Sequence, residues 1–205
     1  GTTAQEFPTD LAYIIFTSGS TASPKGVMLS KSAVIDNALK VGKLHQFSRN
    51  KFHATCLPLY HCNAIMMSLI GNLLVNGKLV MQASPNMSTY FEEIRQTGAY
   101  TASIVPALLT ELISFKSEWP ESLKYLITAA HDLKPSLAKN FFELYGSKIV
   151  QGYGLSEAVN FSFVMPLLDE KSFIREYIDD FPPVGMPLNG TEFKIEEGEL
   201  LVQGP

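Results

Sequence analysis

The sequence has 205 residues, of which 46% are hydrophobic and 18% are charged, and its formal net charge is -4. This length and apolar content are enough to bury a core and exclude a disordered chain. No basic patch stands out, which argues against nucleic acid as a partner. The longest apolar run, residues 64–75, is too short for a transmembrane segment. The two cysteines, Cys56 and Cys62, fit neither a disulfide framework nor a zinc site, which favours a cytoplasmic protein.

Most of the chain alternates between predicted strands and predicted helices. Short apolar runs rich in β-branched and aromatic residues predict strands, and apolar residues three or four apart predict helices. The expected strands are residues 11–17, which we expect to be buried, 54–61, 78–82, 100 to about 105, 123–130 and 147–151. The expected helices begin at Ser30 or Ser32, at Asn63, at Ser88, near Pro106 and near Pro135. This alternation predicts an α/β fold with a mainly parallel sheet covered by helices.

The residue pattern changes after Phe181 and becomes typical of β-strands. The run "TEFKIEEGELLVQGP" predicts a hairpin with its turn near Glu197–Gly198. We therefore divide the chain into an α/β core, 1–182, and the start of a β-rich subdomain, 183–205. The polar segment 167–183 is interpreted as an exposed, irregular loop. Because both ends break off beside predicted strands, we expect the sequence to be an excised piece of a longer protein.

The first of three unusual loops, "TSGSTASPKG", directly follows the first predicted strand. Its glycines, Gly19 and Gly26, allow positive φ, so that backbone N–H groups can converge on an anion. Its hydroxyl residues and Lys25 add donors and a positive charge suited to a polyphosphate, although such a composition is also common in solvated linkers. A Walker loop is excluded, because proline and glycine stand where that motif requires glycine and Ser/Thr.

The second loop, "QGYGLSEA", also follows a predicted strand. Gly152 and Gly154 permit close backbone approach, and Tyr153 offers a flat face for a ring. Ser156 supplies a hydroxyl, and Glu157 supplies an oxygen ligand for Mg²⁺ or is an ordinary first-turn glutamate. A serine hydrolase is disfavoured, because its histidine should follow the serine. All four histidines, at positions 45, 53, 61 and 131, precede Ser156.

The third loop, "PLYHCN", places His61 beside an aromatic residue at the end of a predicted strand. Such a histidine lines a pocket or is a satisfied structural residue. Because ligands of parallel sheets collect at the carboxyl ends of the strands, the three loops are expected to lie together.

Six elements of the chain together resemble the AMP-forming acyl-adenylating enzymes, a family that includes acyl-CoA and aryl-CoA synthetases, luciferase and peptide-synthetase adenylation domains. They occur in the order of that family: "YIIFTSGSTASPKG", "PLYHCN", "LITAAHDL", "QGYGLSEA", "PVGMPLNG" and "GELLVQGP". The resemblance implies that a carboxylic acid reacts with Mg-ATP to form an acyl-adenylate and pyrophosphate. A thiol then takes the acyl group, from coenzyme A or from the phosphopantetheine arm of an acyl-carrier protein.

The resemblance also implies a role for individual residues. The β- and γ-phosphates would be held by residues of the first loop: Thr17, Ser18, Gly19, Ser20, Thr21 and Lys25. Ser156 would contact phosphate, Glu157 would hold Mg²⁺, and His61 would lie near the reacting carboxylate. Adenine would lie between Tyr153 and the segment Ala129, Ala130 and His131. Gly152 would leave room for the acyl chain, with Gly154 beside it.

The chain departs from the family pattern at several positions. Ala22 replaces a usual glycine, and His131 and Asp132 replace a small residue and a proline. The ribose-binding aspartate, the hinge and the lid with its catalytic lysine do not occur in these 205 residues. We therefore expect this chain alone to bind nucleotide weakly without completing adenylation. A degenerate member of the family that binds without turnover is the alternative, and a serine hydrolase is a remote one.

The sequence around His61 bears on the choice of acid. No carboxylate occurs between Asp36 and Glu92, and a buried substrate amine would need one. The apolar residues after His61, among them Ile65, Met66 and Met67, suit a fatty or aryl acid or are simply helix core. The resemblance and this lack of a carboxylate favour a fatty or aryl acid over an amino acid.

Overall fold

The computed structural model describes residues 8–17, 24–82 and 84–204, and its largest feature is a seven-stranded, mostly parallel sheet. The strands are β1 (Leu11–Thr17), β2 (Lys25–Ser30), β3 (Phe52–Thr55), β4 (Lys78–Met81), β5 (Ala99–Ile104), β6 (Tyr125–Thr128), β7 (Ile149–Gly154), β8 (Phe161–Val164), β9 (Met186–Pro187), β10 (Glu192–Glu196) and β11 (Glu199–Gln203). The sheet order is β4-β3-β5-β6-β7-β8-β9, with parallel pairs up to β7 and antiparallel pairs after it.

Besides a short 3₁₀ turn at Ser156–Ala158, the described residues contain six helical segments. They are α1 (Lys31–Leu44), α2 (a π-helical part, Asn63–Ile70, that continues as Gly71–Leu74), α3 (Tyr90–Thr97), α4 (Pro106–Ser114), α5 (Pro135–Tyr145) and α6 (Glu170–Phe173, continuing as π-helical Ile174–Ile178). Two of the helix ends have a clear local cause. The hydroxyl of Ser30 accepts from the backbone N–H of Ala33 at the start of α1, and Gly98 ends α3 with a φ of 67°.

Helices cover both faces of the central sheet. Successive residues of a strand point to opposite faces, and in β6 Leu126 belongs to one buried cluster while its neighbours Tyr125 and Ile127 belong to another. The Leu126 cluster contains residues of α3 to α6, and the Tyr125 cluster contains residues of α1 and α2. The α/β fold with a mainly parallel, helix-covered sheet is therefore confirmed. No helix in the described ranges has the length and apolar character needed to cross a membrane.

The first strand differs from its prediction. Instead of lying buried in the sheet, β1 pairs antiparallel with β2 in a separate hairpin, and Phe16 is 71% exposed. Ala12 and Ile15 pack against the buried cluster that contains Val34 and Met66, whereas Tyr13, Ile14 and Phe16 are exposed.

The segment 167–183 also differs, because residues 170–178 form a helix instead of an exposed loop. The carboxylate of Asp169 accepts from the backbone N–H of Ser172 and starts α6. Phe173 and Tyr177 are fully buried, and their rings stack with centroids 4.6 Å apart. These two residues are four positions apart, which is a helical spacing. The polar residues around them made this pattern hard to see in the sequence.

The C-terminal hairpin is confirmed, with β10 and β11 paired antiparallel around a turn at Glu197–Gly198. Strand β9 follows the expected division at residue 182 but pairs with β8, so it joins the larger sheet. The division into 1–182 and 183–205 stays a prediction.

A buried polar cluster joins α2 to the sheet. His53 on β3 is fully buried, and its Nδ1 atom lies 2.9 Å from Oγ1 of Thr101. Its Nε2 atom lies 3.0 Å from the hydroxyls of both Ser68, on α2, and Ser103, on β5. His45 is buried nearby against the hydroxyl of Tyr125. Burial lowers the pKa of each histidine to about 3, so both are neutral in the folded protein.

We expect stability to fall when the pH drops below about 6.5. In the unfolded chain both histidines bind a proton near that pH, whereas in the fold they stay neutral down to about pH 3. The free energy of unfolding should therefore decrease between pH 8 and pH 5 by about 2 kcal/mol per histidine. Urea unfolding at a series of pH values measures this decrease. In His45→Gln, whose side chain is polar and does not titrate, this decrease in the free energy of unfolding should be about half as large. An unchanged dependence on pH would contradict the assignment of His45 as a neutral, buried residue.

Candidate active site

A cavity of about 600 Å³ opens at the carboxyl ends of four neighbouring parallel strands, β3, β5, β6 and β7. Each strand is followed by a segment that lines the cavity, as expected for a parallel sheet. Its size is within the range usual for sites that bind small molecules. The lining residues are Thr17, Cys56, Leu57, Pro58, His61, Cys62, Asn63, Pro85, Val105, Ala107, Leu108, Ala129, Ala130, His131, Gly154, Leu155, Ser156, Glu157, Asn160 and Phe161.

Residues predicted for the site divide into three groups. Eight of them line the cavity: Thr17, His61, Ala129, Ala130, His131, Gly154, Ser156 and Glu157. Three do not line it: Lys25, Gly152 and Tyr153. Ser18, Gly19, Ser20 and Thr21, with Ala22, lie outside the described residues. The cavity thus brings together residues that are far apart in the sequence, while the contacts of each with a nucleotide stay predictions.

The first loop joins the two strands of the N-terminal hairpin. Thr17 ends β1 at the cavity, and its partner across the hairpin is Lys25, which begins β2. Gly26 is part of β2 and is not among the residues with positive φ, so the sequence-based reason given for it was wrong. What Gly26 provides is space, because a Cβ there would lie 3.1 Å from the side chain of Ile14.

The second loop depends on two glycines that lie against the returning chain. A Cβ on Gly154 would overlap the backbone of Asn160, and one on Gly152 would lie 2.6 Å from the ring of Phe161. The close approach predicted for these glycines is present, but the neighbours belong to the protein itself, the Asn160 backbone for Gly154 and the Phe161 ring for Gly152. The space beside Gly152 therefore holds an aromatic ring, which leaves no support there for the predicted room for an acyl chain. Tyr153 lies near Phe163, with ring centroids 6.1 Å apart.

The chain reverses after Glu157 through a strained turn. Val159 has φ 71° and ψ -57°, and the N–H of Asn160 donates to the carbonyl of Ala158 at 2.9 Å. This is a γ-turn of the rare type, and a β-branched residue at its centre is costly. Val159 is nonetheless buried, in a cluster with Leu29 of β2 and Met66 of α2. Packing therefore holds the turn that follows Ser156 and Glu157.

Sequence reasoning assigned no role in the site to three polar residues that line the cavity, Cys62, Asn63 and Asn160. Cys62, at the start of α2, places its Sγ atom 3.3 Å from Oγ of Ser156. Asn160 is 4% exposed, and its Nδ2 atom has no hydrogen-bond partner among the described residues. Spacing along the chain gave no sign of the first contact, because 94 residues separate its partners. Proximity to the quoted motifs was the one available signal, since Cys62 follows His61 and Asn160 follows "GLSEA".

The charges of the cavity are few. Glu157 is exposed and is the one carboxylate among the lining residues. No group of three or more metal-ligating side chains occurs in the described parts of the chain. A cation held here would take one protein carboxylate and complete its shell with oxygens of a ligand and water, which is the usual arrangement for Mg²⁺ on a nucleotide. The residues present thus fit Mg-ATP rather than a metal cage built by the protein alone.

A family model described as "AMP-binding enzyme" matches residues 2–205. The chain belongs to this family. It is 26% identical over 157 residues to a sulfoacetate–CoA ligase from Cupriavidus necator, covering 76% of this chain and 31% of that protein. It is 29% identical over 206 residues to the nonribosomal peptide synthetase sirP from Leptosphaeria maculans, covering 96% of this chain and 9% of that protein.

Solved structures of the family share the fold. The o-succinylbenzoate coenzyme A synthetase of Bacillus subtilis, in complex with AMP, superposes with a TM-score of 0.80 at 20% identity. That match covers 93% of this chain and 40% of the synthetase. This chain thus spans about a third of the curated ligase and two fifths of the solved synthetase.

We expect glycine to be tolerated better than alanine at position 159. Both Val159→Gly and Val159→Ala remove the buried side chain, but glycine alone relieves the cost of positive φ. The glycine variant should therefore be the more stable by about 1 kcal/mol, the reverse of the usual order in a strand or helix. Urea unfolding of the two variants measures the difference. An alanine variant equal to or more stable than the glycine variant would show that the turn is not strained.

Proposed function

We propose that the protein carrying this chain activates a carboxylic acid with ATP as an acyl-adenylate and transfers the acyl group to a thiol. The observation that carries the proposal is a single cavity that combines the Ser156–Glu157 pair, Thr17 and His61 with an apolar wall. Such an arrangement suits a reaction between a charged nucleotide and an apolar acid. Membership in the family of AMP-binding enzymes supports it.

The chain's own residues would act mainly by positioning. The hydroxyls of Thr17 and Ser156 would donate hydrogen bonds to phosphate oxygens, and Lys25 would add its charge from the far side of the hairpin. Glu157 would hold Mg²⁺, which when bound neutralises charge on the phosphates. His61 would orient the acid's carboxylate for in-line attack on phosphorus. Catalysis of this kind rests on orientation and on charge stabilisation in a site shielded from water.

The lining of the cavity supports an apolar acid that carries no amine. Leu57, Val105 and Leu108 form part of its wall, with Pro85 and Ala107 beside them. Glu157 is the one carboxylate in that lining, and the proposal assigns it to Mg²⁺. A buried ammonium group of an amino acid would therefore lack a counter-charge, at a cost of several kcal/mol. This favours a fatty or aryl acid, with coenzyme A or a phosphopantetheine arm as the thiol.

Glu157→Ala should weaken the binding of Mg-ATP. Loss of a charged ligand to the metal is expected to reduce affinity by about 10- to 100-fold. Isothermal titration calorimetry with Mg-ATP measures it. The matched control is Glu143→Ala, which removes an equally charged, exposed carboxylate on α5, away from the cavity lining. Equal affinities of the two variants would contradict the role assigned to Glu157.

Release of pyrophosphate from ATP should depend on the acid supplied to the whole protein. We expect turnover with medium- or long-chain fatty acids or with aryl acids, and little with amino acids, whose amine finds no partner in the cavity. A panel of acids in a pyrophosphate-release assay tests this. Turnover with amino acids alone would overturn the choice of acid. Mg-ATP binding without turnover on any acid would instead identify a member of the family that binds and does not catalyse.

A further inference from the structure

The Cys62 thiol and the Ser156 hydroxyl meet inside the cavity. Sγ lies 3.3 Å from Oγ, within the range of a hydrogen bond to sulfur, and both residues line the cavity. Cys62 is set at the start of α2, while Ser156 begins the turn that follows β7. The contact therefore joins two loops that approach each other only in the folded chain.

The direction of this hydrogen bond follows from the chemistry of the two groups. Burial raises the pKa of the Cys62 thiol, so at neutral pH it carries its proton and can donate. A serine hydroxyl has one proton and two lone pairs, so it can accept from the thiol and donate elsewhere. When Oγ of Ser156 accepts from Cys62, its own proton points away from the sulfur.

We propose that Cys62 is a positioning residue, which donates to Ser156 and so leaves the Ser156 proton free for an anionic oxygen of the nucleotide. This role rests on the proposed function, because it needs a phosphate in the cavity. Without the thiol, the hydroxyl could rotate and donate to other acceptors before the nucleotide binds. The thiol removes that freedom, and with it part of the entropic cost of binding.

A second donor in the same part of the cavity supports this inference. Asn160 lines the cavity, is 4% exposed and has no partner for its Nδ2 atom among the described residues. A buried N–H donor without an acceptor is costly, and an anionic ligand oxygen would remove that cost. Two donors four residues apart, on either side of a strained turn, are thus available to one ligand.

A double-mutant cycle on the whole protein tests the role of Cys62. Cys62→Ala should raise both the Kd and the KM for Mg-ATP by about 2- to 5-fold, which corresponds to the loss of one weak hydrogen bond. The KM for the acid should not change. Cys62→Ser, which restores an O–H donor, should recover most of the affinity. In a Ser156→Ala background, Cys62→Ala should have no further effect, because the group that it orients is gone.

A purely structural role for Cys62 would give another result. The loss on Cys62→Ala would then persist in the Ser156→Ala background, and Cys62→Ser would not recover affinity. Either outcome would overturn the positioning role while wild-type binding of Mg-ATP stayed intact. Failure of the wild-type protein to bind Mg-ATP would instead refute the proposed function, and the positioning role with it.

The hydrogen bond can also be observed without nucleotide. The S–H stretching band of Cys62, assigned by its loss in Cys62→Ala, should move to higher frequency in Ser156→Ala, because a donated hydrogen bond lowers that frequency. A band that does not move would show that the thiol does not donate to Ser156, and this would overturn the proposal independently of any binding measurement.

Discussion

The site depends on the close approach of β7 to the chain that returns as β8. Gly154 lies so near the backbone of Asn160 that no side chain fits between them, and Gly152 leaves space for the ring of Phe161. This approach ends the parallel part of the sheet, since β8 pairs antiparallel with β7. It also forces a tight reversal within a few residues, and the γ-turn at Val159 is the result. Ser156 and Glu157 stand on this reversal, so their place at the cavity follows from a packing constraint and not from the loop sequence alone.

A second wall of the cavity, formed by the segment that contains His61 and Cys62, is anchored by buried polar contacts. His53 links Ser68 of α2 to Thr101 and Ser103 of β5, which attaches the helix to the sheet through neutral hydrogen bonds. Since α2 begins next to His61 and Cys62, this attachment sets where those side chains enter the cavity. Val159 packs against Met66 of the same helix, so the two walls are also joined by apolar contact. The contact between Cys62 and Ser156 is short because both of its anchors are held in this way.

Much of the architecture could be predicted, because parallel strands and helices leave strong periodic patterns. Both misjudged segments were assigned from local composition, whereas the burial of a residue depends on packing against parts of the chain far away in the sequence. In β1 an apolar run was taken for a buried strand, but Phe16 and its neighbours lie in a two-stranded hairpin with one face exposed. In 167–183 a polar composition hid Phe173 and Tyr177, whose rings stack on each other, while Phe173 also stacks on the distant Phe142. For the site, the motifs led to eight residues that line the cavity, whereas Lys25, Gly152 and Tyr153 of the same motifs do not line it. The contact of Cys62 with Ser156 could not be predicted, because it depends on how two distant loops pack.

The lining of the cavity has a polar part and an apolar part, which under the proposed function would contact two different reactants. Its polar residues, among them Ser156, Glu157 and Thr17, suit phosphate and its cation, whereas Leu57, Val105 and Leu108 suit an apolar chain. An acid bound with its tail against the apolar residues would present its carboxylate toward the polar ones, because a carboxylate buried among Val105 and Leu108 would lose its hydration without compensation. Desolvation would thus decide which end of the acid faces the polar residues, and His61 would then orient the carboxylate for attack. On this argument, the length of the apolar part would limit which acids fit, while the Cys62–Ser156 pair would affect only the binding of the nucleotide.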